Sequence, residues 1–215
     1  MKALWAISVT LLLMVGGFLG WQVLQTFDHS SEPVGRSTLS VSIQDAQSAP
    51  SQKNYNRSTQ NKMRFVHEGY DLTPIASFDI SARVLSRKNY RFGREADLSP
   101  VDLALGWGRM SNIDVIKDVK ISQRGRFYFW RAPSRNKPIP ISEIIRSSAN
   151  MHLVPSGSDV ERQIRGIEKN DIVRIKGYLV NVKHKDGWRW GSSTSRTDTG
   201  NGACELIFVT EVVVL

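Results

Sequence analysis

The chain has 215 residues, 40% of them apolar and 23% charged, with a formal net charge of +9. These are values of a folded protein, and they exclude wholesale disorder and a collagen-like fibre. A single cysteine excludes an intramolecular disulfide framework and any multi-cysteine zinc site.

From Ala3 to Leu24 the chain reads ALWAISVTLLLMVGGFLGWQVL, without a charge. As a helix this stretch spans roughly 33 Å, enough to cross a hydrocarbon core. Trp5 and Trp21 stand near its ends, where indoles favour the headgroup boundary. Gly16 and Gly20 match a GxxxG pairing motif, and also read as ordinary glycines of a membrane helix. No small-x-small cleavage site follows, so residues 1–27 read as an uncleaved transmembrane anchor. Lys2 precedes the span and Arg36 is the one basic residue between Thr26 and Pro50. The positive-inside rule then puts the bulk of the chain outside the cytoplasm, in the periplasm if the anchor lies in a bacterial inner membrane.

Residues 28–69 are rich in Ser, Gln and Asn and show no sustained periodicity, which predicts a flexible polar tether. Residues 70–215 suit one domain with its own core. Phe78–Val84 alternates apolar and polar residues and reads as a half-buried strand. Ser99-Pro100-Val101-Asp102 reads as a helix start with proline at the first position. Ser111–Asp114 and Ser142-Glu143 suggest two further short helices. Phe127–Arg131 is an aromatic strand. Ser158-Asp159-Val160-Glu161 matches a capping box opening a helix to about Ile167.

Ile172–Lys183 is a β-branched strand, with Gly177 marking a bend or bulge. Lys185-Asp186-Gly187 turns it into a hairpin with Trp188–Trp190, and Glu205–Leu215, apolar on both phases, reads as a central strand. The expected class is α+β: a β-rich domain with a few short helices, in a small-barrel arrangement of OB type. The OB reading takes Glu168–Leu179 as the opening strand.

The segments Ser86–Asp97 (SRKNYRFGREAD), Ser148–Leu153 (SANMHL) and Gly187–Glu205 (GWRWGSSTSRTDTGNGACE) carry a resemblance. Over most of residues 75–210 the chain resembles an uncharacterised family of bacterial proteins with one N-terminal membrane helix. The resemblance implies a bacterial envelope address and brings no activity, substrate or catalytic residue.

Four sets of residues are candidates for chemistry. Cys204 and His152 form the one possible thiol–imidazole pair; a nucleophilic thiolate needs such a base, whereas a cysteine opening an apolar strand also packs as a small hydrophobe. Asp198-Thr199-Gly200 matches the aspartic-protease triplet in a single copy, so a proton-sharing pair would need a second chain; the same residues make a polar turn. The long loop after Trp188-Arg189-Trp190 offers a binding site, with Arg196 and Asp198 orienting a polar ligand and Trp188 or Trp190 as a flat wall. In the competing reading Arg196 and Asp198 pair with each other. Basic residues interleave with aromatics around Tyr90 and Phe92 and around Phe127–Trp130, a pattern that suits nucleic acid, an anionic membrane or glycans, and equally a solvated face over packed rings. The four histidines, His29, His67, His152 and His184, have no metal-ligand spacing, and no metal or cofactor is expected.

These features point first to a membrane-anchored, non-enzymatic binding or accessory module of the cell envelope. Its partners would be the membrane, through residues 3–24, and an envelope protein or polymer. One alternative is an envelope hydrolase using Cys204 with His152, or Asp198. The other is an OB-like module for single-stranded nucleic acid, against which an extracytoplasmic address argues.

Overall fold

A computed structural model describes residues 41–198, 200 and 202–215. The anchor expected over residues 1–27 and the first part of the tether lie outside the described residues. Among the described residues no helix is long and apolar enough to cross a membrane.

The domain is mostly β-sheet with a few short helices. In chain order its strands are β1 (Ser51–Asn54), β2 (Phe65–His67), β3 (Tyr70–Asn89), β4 (Val101–Gly106), β5 (Lys120–Arg124), β6 (Phe127–Arg131), β7 (Ser148–Pro155), β8 (Ile172–Lys183), β9 (Arg189–Gly191) and β10 (Glu205–Val214). The helices are α1 (Arg57–Lys62), α2 (Arg94–Leu98), α3 (Ile113–Ile116), α4 (Ile141–Arg146) and α5 (Ser158–Gly166), with 3-10 turns at Asp45–Gln47 and Gly108–Ser111.

Five strands organise the rest. Pairing runs from β3 to β4, β7, β10, β8 and back to β3, so the path returns to its start. Only the contact of β10 with β7 is parallel; the other four are antiparallel. The 20-residue β3 makes this closure possible: residues 71–83 pair with β8, and residues 83–89 pair with β4. Its side chains alternate between buried and half-buried along nearly its whole length. One set, including Phe78, Ile80, Ala82 and Val84, enters the main core with Leu103, Leu105, Met151, Leu153, Ile207 and Val209. Ile164 of α5 and Ile167, which ends it, join the same cluster. Burial of this apolar surface, at roughly 25 cal/mol per Å², is the dominant stabilising term. The hairpin β5–β6 forms a separate two-stranded sheet.

Four expectations are corrected. Order begins well before residue 70. Strand β1 pairs with Ala76–Asp79, Asn56 caps α1 by accepting from the Thr59 N–H, and β2 pairs with Tyr70–Leu72. This polar segment is held by backbone pairing at a sheet edge and by a cap, which a test for buried apolar periodicity does not detect. Second, Val101–Gly106 is a strand, not a helix; every one of its side chains is buried, and the helix α2 ends just before it at Leu98. Third, Ser158 lies inside α5 and Gly157 is its N-cap, so the capping box is not made. Finally, Ile172–Lys183 is the fourth of the five ring strands in chain order, not the opening one.

Gly177 does sit at an irregularity, opposite the register shift between Val209 and Glu211. A Cβ there would collide with the Phe208 carbonyl, whereas a Cβ at Gly157 meets nothing within 4 Å. Gly177→Ala should therefore lower the urea-unfolding free energy by about 1–3 kcal/mol. Gly157→Ala, at an N-cap with extended backbone and open space, should cost only about 0.5 kcal/mol, the N-cap preference of Gly over Ala. Equal effects would show that the packing at Gly177 gives way.

Candidate functional site

The strand register places the site. Asp102 on β4 stands directly opposite His152 on β7, so their side chains share a face at close cross-strand range. Asn150 precedes His152 by two residues and shares that face. On the other side of β7, His152 is registered against Leu206 of β10. Cys204 stands two residues before Leu206, just ahead of the strand, and its Sγ lies 3.9 Å from Asn150 Nδ2.

Asp102 is 0% exposed. Its Oδ1 lies 2.9 Å from His152 Nδ1 and 2.9 Å from an Arg126 guanidinium nitrogen. The approach to Nδ1 is at ion-pair distance but too bent for an aligned hydrogen bond. Burial pushes the His152 pKa down, but the close approach and charge of Asp102, and then of Cys204, outweigh it and hold the ring up at about 9. Nδ1 faces Asp102, and Cys204 is close enough to add to the upward shift; the thiol itself donates to the Arg126 carbonyl at 3.9 Å. The ring is thus held toward its charged form beside the Asp102 carboxylate.

Arg126 is the lid over this group. It forms the two-residue tip of the β5–β6 hairpin with Gly125, both at positive φ, +57° for Gly125 and +65° for Arg126. A left-handed arginine is a local strain, tolerated where the surroundings fix it. Here its N–H donates to the Tyr90 hydroxyl at 3.0 Å, and its carbonyl accepts from Asn150 Nδ2 at 3.2 Å. Its guanidinium pairs with Asp102, donates to the Ser99 carbonyl at 3.0 Å and stacks 3.9 Å from the Tyr90 ring centroid. Burial, and then the Asp102 charge, push the Tyr90 phenol up to about 12. Gln123 donates to Asn150 Oδ1 at 2.6 Å, which fixes the amide with its nitrogen toward Cys204. Trp190 closes the other side, its ring centroid 4.8 Å from that of His152.

Cys204 is half-buried and borders a cavity of about 320 Å³. Trp107, Phe127, Phe129, Trp130 and Ile145 supply apolar wall, and Asn150 supplies an amide. His152 and Asp102 do not border the cavity. The arrangement is a thiol at the pocket wall with a buried imidazole–carboxylate pair near it, off the pocket.

The structure brings Cys204 and His152 together and separates the other sequence candidates. Arg196 and Asp198 border the cavity without forming an ion pair: Arg196 bonds Glu205 and Gln52. Asp198 accepts from Ser193 Oγ at 2.6 Å and belongs to a polar turn. Trp188 and Trp190 form no wall of this cavity. Trp188 packs on Tyr70 and Trp190, and Trp190 borders a separate groove with Arg64, Lys183 and Arg189. Among the described residues no group of three His, Cys, Asp or Glu side chains could hold a metal ion.

Sequence reasoning missed Asp102, Arg126, Asn150 and Gln123. A usable signal existed for Asp102: an acid inside the apolar run VDLALG must be buried or paired. The Gly125-Arg126 turn between two short strands was a second signal.

The raised pKa of His152 sets a pH dependence. An unfolded histidine titrates near 6.5, so the stability this group contributes is fully present below about pH 6.5 and lost as pH rises through about 9. Against His152→Gln, which cannot ionise, the wild-type urea midpoint should fall between these values; a parallel pH profile would remove the ion pair. Asp102→Asn should cost about 3 kcal/mol at neutral pH, because it leaves the part-buried Arg126 guanidinium without its counter-charge while His152 sheds its proton.

The chain matches no protein-family model, no curated protein and no solved structure.

Proposed function

We propose that this domain is a thiol-dependent acyl hydrolase or acyltransferase, with Cys204 as nucleophile, His152 as acid–base and Asp102 as the group that orients and charges His152. One observation carries the reading: Cys204 borders the apolar cavity and neighbours a buried His152–Asp102 pair. In the first step Sγ bonds to the carbonyl carbon of an acyl ester, thioester or amide, and the leaving group departs with a proton from His152. In the second, water or another acceptor attacks the thioester, His152 takes its proton, and the sulfur leaves as the thiolate, restoring the starting pair. The Asn150 amide, aimed by Gln123, is the donor nearest the developing oxyanion.

The ring of five strands supports an OB-like barrel. In chain order its strands run 1-2-3-5-4-1 with the third and fifth parallel, and α5 joins the third to the fourth. The face of the second and third strands, where OB folds bind oligonucleotides and oligosaccharides, is the face that carries Asp102, Asn150 and His152. That placement favours a second reading, a non-enzymatic binding module using the same cavity. The sequence of residues 3–24 supports an anchored domain acting at the cell envelope, outside the cytoplasm.

The test uses the purified full chain. Iodoacetamide should alkylate Cys204 at neutral pH at least tenfold faster than it alkylates glutathione, and His152→Ala should abolish the excess. With activated acyl esters and thioesters, an acyl adduct should appear on Cys204, and Cys204→Ser should lower turnover by at least about 10³-fold, a loss typical of a nucleophile. An ordinary alkylation rate with no adduct would discard catalysis and leave the binding module. A reporter active only outside the cytoplasm, fused after Leu215, tests the address.

A further inference from the structure

We propose that the outer face of the β5–β6 hairpin docks on an anionic lipid bilayer. The hairpin is a separate two-stranded sheet whose side chains alternate strictly in exposure. Its inner cross-strand pairs, Ile121 with Trp130 and Gln123 with Tyr128, turn to the domain and pack on a core cluster or reach the site. Its outer pairs are Lys120 with Arg131, Ser122 with Phe129, and Arg124 with Phe127.

Three properties of the outer face select the occupant. Phe127 and Phe129 are 41% and 48% exposed, adjacent rings with no core to enter. Lys120 and Arg131 stand directly opposite each other, a like-charge pair that destabilises a sheet unless an anion sits over it. Among the described residues no acidic side chain pairs with Lys120, Arg124 or Arg131. Cations around exposed aromatic rings complement a surface with anionic headgroups over hydrocarbon. Phe92, 91% exposed, is a further free aromatic ring in the loop whose Tyr90 accepts from the hairpin tip.

Chain length also favours a membrane over other polyanions. Sixteen residues separate Leu24, the end of the apolar stretch, from Val41. Even fully extended they reach at most about 55 Å, so an anchored chain holds the domain close to its bilayer. Phe127 and Phe129 also border the cavity of Cys204, so docking would set the mouth of that cavity at the lipid surface.

The test places a photoreactive benzophenone side chain at position 129 of the full chain, or at position 66 as control. Val66 is 69% exposed on β2. Each protein is irradiated with vesicles of phosphatidylcholine alone, or with about a third phosphatidylglycerol, and lipid adducts are read by mass spectrometry. The expected result is an adduct at 129 that is at least tenfold stronger with the anionic vesicles and absent at 66. Combined Lys120→Glu, Arg124→Glu and Arg131→Glu should reduce it at least tenfold, since each basic residue at such a surface is worth about fivefold. These three side chains are exposed, and a matching urea midpoint checks the fold of the variant. Equal adducts at 66 and 129, indifference to lipid charge, or cross-linking of 129 to protein or added RNA in place of lipid would overturn the proposal. Vesicles are supplied directly, so the result does not depend on residues 3–24 forming an anchor, nor on Cys204 being a nucleophile.

Discussion

Asp102 is a carboxylate without solvent, and the surrounding structure is arranged around the cost of keeping it ionised. Removing such a charge from water costs several kcal/mol even after relaxation, so it must be met by cations held in place. Two meet it, both at 2.9 Å: Arg126 and His152. His152 comes from the next strand by register alone. Arg126 comes from a hairpin outside the ring, which has to fold over the site to deliver it. The left-handed backbone at Arg126 follows from this demand. A two-residue tip with both φ angles positive is the turn that matches strand twist, and it aims the residue's N–H, carbonyl and guanidinium at three different partners.

The same charge decides what Cys204 experiences. Two cations share one buried anion. The Arg126 guanidinium is also engaged by the Ser99 carbonyl and the Tyr90 ring. His152 has Trp190 against its face and the sulfur as its other polar neighbour. Protonating the ring is therefore favourable despite its burial, and the resulting charge is shared between Asp102 and Cys204. Electrostatics and packing act together here: Trp190 and the hairpin tip exclude the water that would otherwise screen the pairing.

Much of the β architecture was legible in the sequence because it rests on periodicity. Phe78–Val84, Phe127–Arg131, Ile172–Lys183 and all of Glu205–Leu215 but its last residue lie in strands, and the bulge opposite Gly177 was signalled by the glycine itself. Residues 51–67 were opaque because edge pairing and caps leave no apolar pattern. Val101–Gly106 was misread because a proline after a serine resembles a helix start, while the deciding fact is non-local: both faces of that strand are covered. The site was half legible for the same reason. Cys204 and His152 could be picked out by residue type, but their contact, and the entry of Asp102 and Arg126, depend on strand register and on a hairpin tip arriving from another sheet. The Arg196–Asp198 pairing failed because Glu205, next to Cys204 in sequence, takes Arg196 instead.

The β5–β6 hairpin ties the two proposals together through the pleat. Because successive residues point to opposite faces, one twelve-residue hairpin can carry Gln123, Tyr128 and Trp130 toward the domain and Lys120, Arg124, Phe129 and Arg131 away from it. The inward set fixes the Asn150 amide and lines the cavity; the tip supplies the Asp102 counter-charge. The hairpin is not part of the closed ring, so its position depends on these contacts rather than on a shared sheet. A surface bound to its outer face would therefore be felt in the site through Arg126. Restraining the tip would hold the guanidinium on Asp102, and with it the polarity of the Asp102–His152–Cys204 line.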